Sequence, residues 1–164
     1  MALVSEEIKA RSEMYHGDEM GQIKSKELLK EVGLPNGLLP LKDIEECGYD
    51  RESGFVWLIQ KKSSTHKFHK VGKLVSYAPE VTATVEFGKI KKLTGVKVKE
   101  LLVWLTLNEI CLNDPPNGNI TFKATSGLFR TFPVSAFEVE EKEVVKGNLE
   151  VKEAEAEAVE VKEV

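Results

Sequence analysis

The chain has 164 residues, 41% hydrophobic and 30% charged, with a net charge of −4, enough for one domain of ordinary size with its own core. No apolar run is long enough for a bilayer-spanning helix. The charge is uneven: residues 138–164 hold ten acids and four lysines, whereas residues 1–137 hold seventeen acids and nineteen bases. Neither part has the broad basic balance of a nucleic-acid binder.

In chain order, residues 2–16 read as an amphipathic helix with Leu3, Ile8 and Met14 on its apolar side, early acids Glu6 and Glu7, and a stop at Gly17-Asp18. Ser25 to Val32 reads as a second helix capped by Ser25 and ended by Gly33. The loop Leu34-Pro35-Asn36-Gly37-Leu38-Leu39-Pro40 is too apolar for solvent and must pack under something or line a groove. From Leu41 the period becomes two. Residues 42–49 and 55–61 form a hairpin around Asp50 to Gly54, with Phe55, Trp57 and Ile59 on one face and Val56 and Leu58 on the other. Short strands follow at 67–71 and 74–77, and Pro79 separates them from 81–87. Gly88 to Leu93 is a further strand, and Thr94-Gly95 a turn.

Gly95 to Leu112, GVKVKELLVWLTLNEICL, is the most apolar stretch, and the rest of the chain must cover it. Its first half alternates Val96 and Val98 with Lys97 and Lys99, as a strand with one wet face does. Leu101 to Leu105 is apolar on both faces, so burial on both sides is expected. One strand of this length exceeds the usual run, so a bend or bulge is expected near Glu100. Asn113 to Gly118 is a strong turn leading into 120–125, and Ser126-Gly127 is another leading into 128–134. Domain organisation is therefore read as one α+β domain over residues 1–138 and an acidic tail over 139–164. The tail's composition cannot offset the entropy of ordering.

Chemistry-bearing motifs are scarce. His66 and His69 are three apart, which on a strand sets them on opposite faces, and no third ligand lies near. His16 at a helix end is read as a cap for its carbonyls. The nucleophile turn of serine hydrolases and the glycine-rich phosphate loops are absent. Cys111 at the end of an apolar strand reads as packing rather than a thiol nucleophile. No catalytic residue, metal or cofactor is expected. Two cysteines, Cys47 and Cys111, without metal-ligand spacing fit a reduced compartment. An N-terminus with charges where a signal peptide has its apolar centre fits an intracellular, cytoplasmic protein. The remaining signal is bulky apolar residues distributed over successive strands. They either form the core or line an apolar cavity near Trp104. The ligand-binding set on the second reading is Leu34, Leu38, Leu39, Trp57, Tyr77, Phe87, Leu102, Trp104, Phe122 and Phe132.

Several of these residues also carry a family resemblance. Leu28-Leu29, Gly33-Leu34-Pro35 and Gly37-Leu38-Leu39-Pro40 resemble the entry motif of the plant domain-of-unknown-function family 538. Gly54-Phe55, Leu93 to Lys99 with Trp104, and Phe132-Pro133-Val134-Ser135 with Phe137 continue it in order over residues 25–138. The resemblance implies no established activity. Members have been compared with the lipid-binding fold of bactericidal/permeability-increasing protein, and an esterase role on chlorophyll has been suggested. Many relatives are secreted and carry cysteines after the second strand and beyond the Phe-Pro-Val motif. Here those segments, QKKSSTHKF and FEVEEKEV, have none, which agrees with an intracellular form.

The expected architecture is α+β: two N-terminal helices, then a curved, mainly antiparallel sheet or partial barrel, and a disordered acidic tail. The expected function is non-enzymatic binding of an apolar small molecule or lipid. The alternatives are an esterase acting on an apolar ester such as chlorophyll, and a protein-interaction module using a sheet edge or the tail.

Overall fold

The computed structural model describes residues 5–139. Residues 2–4 of the expected first helix and nearly all of the acidic tail lie outside them. Ser5 accepts from the Ile8 amide and opens α1 (Glu6–Arg11), a helix of under two turns. Ser12 ends it, its hydroxyl donating to the Ile8 carbonyl at 2.5 Å. The chain then forms β1 (Glu13–His16). The expected helix to residue 16 is thus wrong in its second half. Pairing of Tyr15 with Cys47 and of its neighbours along the same ladder outweighs helix propensity. His16 sits on a strand, not at a helix end.

Gly17-Asp18 starts the next helix rather than stopping one. α2 (Asp18–Glu31) has Asp18 and Glu19 in its first turn, where acids meet the positive end of the helix dipole. Asp18 also accepts from the Ile44 amide at 2.9 Å, tying the helix start to the sheet. Ser25, expected as a cap, is buried in mid-helix and donates to the Gln22 carbonyl. The predicted end holds: Gly33 has φ +79°, its amide donates to Lys30, and the Leu34 amide donates to Leu29. This is a Schellman end, and its usual apolar contact is supplied by buried Leu29 and Leu34.

The strands are β2 (Ile44–Asp50), β3 (Phe55–Gln60), β4 (Ser64–Phe68), β5 (Lys73–Glu86), β6 (Lys89–Glu100), β7 (Val103–Leu112), β8 (Asn119–Ala124) and β9 (Phe129–Pro133). They form one antiparallel sheet of nine strands in the order β1-β2-β3-β5-β6-β7-β8-β9, with β4 paired to β5. The sheet is open rather than a barrel. One strand precedes α2, so the order is not simply two helices and then a sheet.

β5 and β6 each run through positions read as breaks. β5 pairs with β4 over residues 73–77 and with β3 over 80–84, and Pro79 lies between the two halves. Opposite it, Gly95 has φ +85°, and a Cβ there would sit 2.4 Å from the Glu80 carbonyl oxygen. The bend exposes backbone groups that Gln60 satisfies. Its amide donates to the Tyr77 and Ala78 carbonyls, both at 3.0 Å. Its carbonyl oxygen accepts from the Lys42 amide and the Ser64 hydroxyl.

The central stretch departs most from expectation. It is not one strand but the end of β6, a two-residue turn at Leu101-Leu102, and β7. Leu101 and Leu102 are 92% and 93% exposed, and Val103 and Trp104 are also exposed. The change of facing pattern near Glu100 marks this reversal, not a bulge. The turn carries no Gly, Asn, Asp or Pro, and Leu101 adopts φ +52° at a cost of about 1 kcal/mol.

The inner face of the sheet is covered by α2, the 34–40 loop and a 3-10 turn at Val134–Phe137. Leu34 and Leu38 are buried, as that loop's composition demanded. Tyr77 donates from beneath to the Leu38 carbonyl at 3.0 Å. Gly37 donates to the Phe137 carbonyl, closing the loop onto the C-terminal turn.

Candidate functional site

The ten residues proposed to line one cavity do not converge on one. Leu34, Leu38, Tyr77 and Phe122 are packed in the core, and Phe132 packs partly buried against it. Phe122, Phe132 and Phe137 are mutual ring neighbours, with centroids 5.0–5.9 Å apart. Trp57 is fully buried on the outer face, where its indole N–H donates to Glu46 at 2.8 Å. Phe87 is 78% exposed and lies where a Cβ on Gly33 would fall. Leu102 and Trp104 stand at the β6–β7 turn. Near them is a notch of about 20 Å³ between Val98, Leu105, Phe122 and Phe132, in place of an enclosed cavity.

The better-formed concavity lies elsewhere, between α2 and the inner face of β1, β2 and β3. It is a half-open cleft of about 90 Å³. Alternation builds its floor: Cys47 and Tyr49 on β2, Val56 and Leu58 on β3 and Tyr15 on β1 point to the same side. Leu28 and Ser25 face them from α2, and Leu39 of the loop closes one end. Of the expected ligand residues only Leu39 and Trp57 border it, and alternation turns the Trp57 side chain to the opposite face of the sheet. Tyr15 was hidden by its assignment to a helix. Cys47 and Tyr49 were legible only as alternating strand positions.

Charged groups ring the mouth. The Lys24 ammonium lies 4.8 Å above the Tyr15 ring, and the Arg51 guanidinium 5.0 Å from that of Tyr49. Arg51 pairs with Glu13 of β1 and with Glu31 of α2, clasping strand and helix together across the opening. That bond holds the Glu31 carboxyl below its ordinary pKa and raises that of Arg51. Burial, then the neighbouring Glu46, pushes the Cys47 thiol up. A thiol held protonated is a poor nucleophile.

The histidines stand apart from the cleft floor. His16 Nε2 is 3.4 Å from Glu46 on the outer face. His66 lies edge-on to Phe68, and desolvation lowers its pKa, favouring the neutral ring. Among the described residues no serine or cysteine is hydrogen-bonded to a histidine. Nor do three or more His, Cys, Asp or Glu side chains there form a group that could hold a metal ion. No helix among them is long and apolar enough to cross a membrane.

On the outer face, Arg11 of α1 grips Asp50 through Nε at 2.9 Å and Nη2 at 2.8 Å. The Arg11 bond, then the Ser53 hydroxyl, lowers the Asp50 pKa. A depressed carboxylate adds stability above its unfolded value, near pH 4, and loses it as pH falls through the folded value. We therefore expect Asp50→Asn to be less stable than the parent by a constant margin above about pH 5, and the margin to shrink below about pH 4. Urea unfolding across this range checks it; a gap that widens in acid would contradict the assignment.

These features define an α+β protein with an open antiparallel sheet and a small apolar cleft under its long helix. The sequence profile described as "Protein of unknown function, DUF538" matches residues 25–138, well over half the chain, and the chain belongs to that family. No curated protein and no solved structure matches it.

Proposed function

We propose that the protein is a non-enzymatic binder of an apolar small molecule or of the apolar end of a lipid, held in the cleft between α2 and β1–β3. The observation that carries this reading is the cleft's chemistry: an apolar floor without an activated nucleophile, inside a rim of charged groups. A pocket of this kind desolvates an apolar group and leaves a polar end in water. Size limits the occupant. A closed cavity of about 150 Å³ holds a benzene; a half-open one of about 90 Å³ takes a few methylenes or the edge of a ring. The remainder of the molecule would lie along the rim, between Lys24 and Arg51.

Delipidated full-length protein titrated with a medium-chain fatty acid, and separately with a hydrophobic pigment, tests this. Ligand at one hundred times its Kd adds about 2.7 kcal/mol of stability, a rise of several degrees in Tm. The variant Ser25→Met fills the cleft from α2 and is expected to fold and to lose the rise. Ser25 bonds only to its own helix, so its loss orphans no group elsewhere. No shift with either probe, or an undiminished shift in Ser25→Met, would count against the cleft.

A further inference from the structure

The opposite end of the sheet carries a second feature, independent of the cleft. The registers bring three turns to one end: residues 69–72 between β4 and β5, 101–102 between β6 and β7, and 125–128 between β8 and β9. Two of these turns present large apolar side chains to solvent: Leu101, Leu102, Val103 and Trp104 from one, Leu128 and Phe129 from the other. None of the six belongs to the core cluster or to the partly buried residues packed on it. Leu101 is held at positive φ, where glycine would be relaxed. Folding therefore gains little from leucine at this position.

The charge of this end differs from that of the chain. Lys67, Lys70, Lys97 and Lys99 flank the turns and form no ion pair among the described residues, although Lys70 donates to the Ser135 carbonyl at 3.4 Å. Lys99 lies 5.8 Å from the Trp104 ring. Lys73 and Arg130 both reach Glu100, at 2.7 and 3.6 Å. Among the described residues these six bases face Glu100, beside a Lys123–Glu109 pair at 3.6 Å across from Phe129, in a chain whose net charge is −4. Apolar tips behind a basic collar match a surface with an apolar interior and a negative face.

We infer that this hairpin end docks on an anionic lipid bilayer. The side chains at the 101–104 and 128–129 tips enter the headgroup region, and the lysines meet the lipid phosphates. A tryptophan fits that depth, with its ring in the apolar layer and its N–H in the wet one.

Co-sedimentation of the full-length protein with vesicles tests the inference. Phosphatidylcholine–phosphatidylserine vesicles are compared with phosphatidylcholine alone, at low and high salt. Trp57 is fully buried, so a change in tryptophan emission on adding vesicles reports on Trp104. We expect binding to the anionic vesicles with a blue shift, and weaker binding at high salt and on neutral vesicles. The double variant Leu101→Ser/Leu102→Ser alters only exposed side chains and is expected to lose at least tenfold in partitioning. Lys97→Glu/Lys99→Glu, which leaves the apolar tips in place, is expected to remove the preference for anionic lipid.

Absent binding, or binding indifferent to both double variants, would overturn the inference. So would sedimentation equilibrium showing a dimer that Leu101→Ser/Leu102→Ser dissolves, because a second copy would then be the occupant. The fatty-acid titration of the cleft reads separately: Ser25→Met is expected to leave vesicle binding unchanged, and the tip variants to leave the thermal shift unchanged.

Discussion

Phe137→Ala is expected to lower the unfolding free energy by about 3–5 kcal/mol, the largest loss from any single truncation considered. Phe137 is 2% exposed, and its ring centroid lies 4.9 Å from that of Phe68, 5.0 Å from Phe122 and 5.9 Å from Phe132. Those three rings come from β4, β8 and β9, so a single side chain from the C-terminal turn joins distant parts of the sheet. Its carbonyl also accepts from Gly37, so a shift in the turn would loosen the apolar loop. Truncation leaves a void that four elements must collapse to fill, which a packed interior does poorly. Urea denaturation followed by far-ultraviolet circular dichroism measures the loss. A change under about 1 kcal/mol would mean that the turn is not docked as described.

Gln60→Leu is expected to cost about 3 kcal/mol or more, although it places an apolar residue in the core. The side chain is 1% exposed and makes four hydrogen bonds, three of them to backbone groups of Lys42, Tyr77 and Ala78. Leucine leaves those groups without their partner, at about 1–3 kcal/mol for each one that stays buried. Gln60→Glu keeps the size but sets a carboxylate oxygen against two carbonyl oxygens, and a similar loss is expected at neutral pH. Equilibrium unfolding of both variants decides the matter. A stabilised Gln60→Leu would show that water reaches the bend and that the glutamine is dispensable.

Much of the fold was legible because local chemistry and tertiary structure agree. Asp50 to Gly54 reads as a hairpin turn and is one, with Gly54 at φ +84°. Gly33 ends a helix, Asn113 to Gly118 reverses the chain, and the leucines of the 34–40 loop are buried or packed on the core. The α+β class followed from such signals. Misreadings arose where long-range contacts overrule local ones. Residues 13–16 have helical composition, but β2 recruits them as a strand. Pro79 looks like a strand break, yet Gln60 accommodates the bend from another strand, which no local pattern discloses. The turn at Leu101-Leu102 was missed because turn residues are usually polar, glycine or proline. An apolar turn breaks the rule for a domain that buries its leucines.

The candidate site divides in the same way. The bulky apolar residues on successive strands divide: Trp57, Tyr77, Phe122 and Phe132 pack in or on the core while Phe87 and Trp104 are exposed, and period-two reading cannot tell a packed interior from a lined cavity. The cleft depends on Tyr15, whose strand was not foreseen, and on Arg51, which a hairpin turn carries up to the helix. The first follows from pairing between β1 and β2, the second from pairing between β2 and β3.

An amide-resolved NMR titration of the delipidated protein with a medium-chain fatty acid tests the functional reading most directly. The account predicts saturable shifts grouped at Tyr15, Leu28, Leu39, Cys47 and Val56, and none for those residues in Ser25→Met. Shifts confined to the core around Phe122 and Phe132, or none at any ligand concentration, would contradict it.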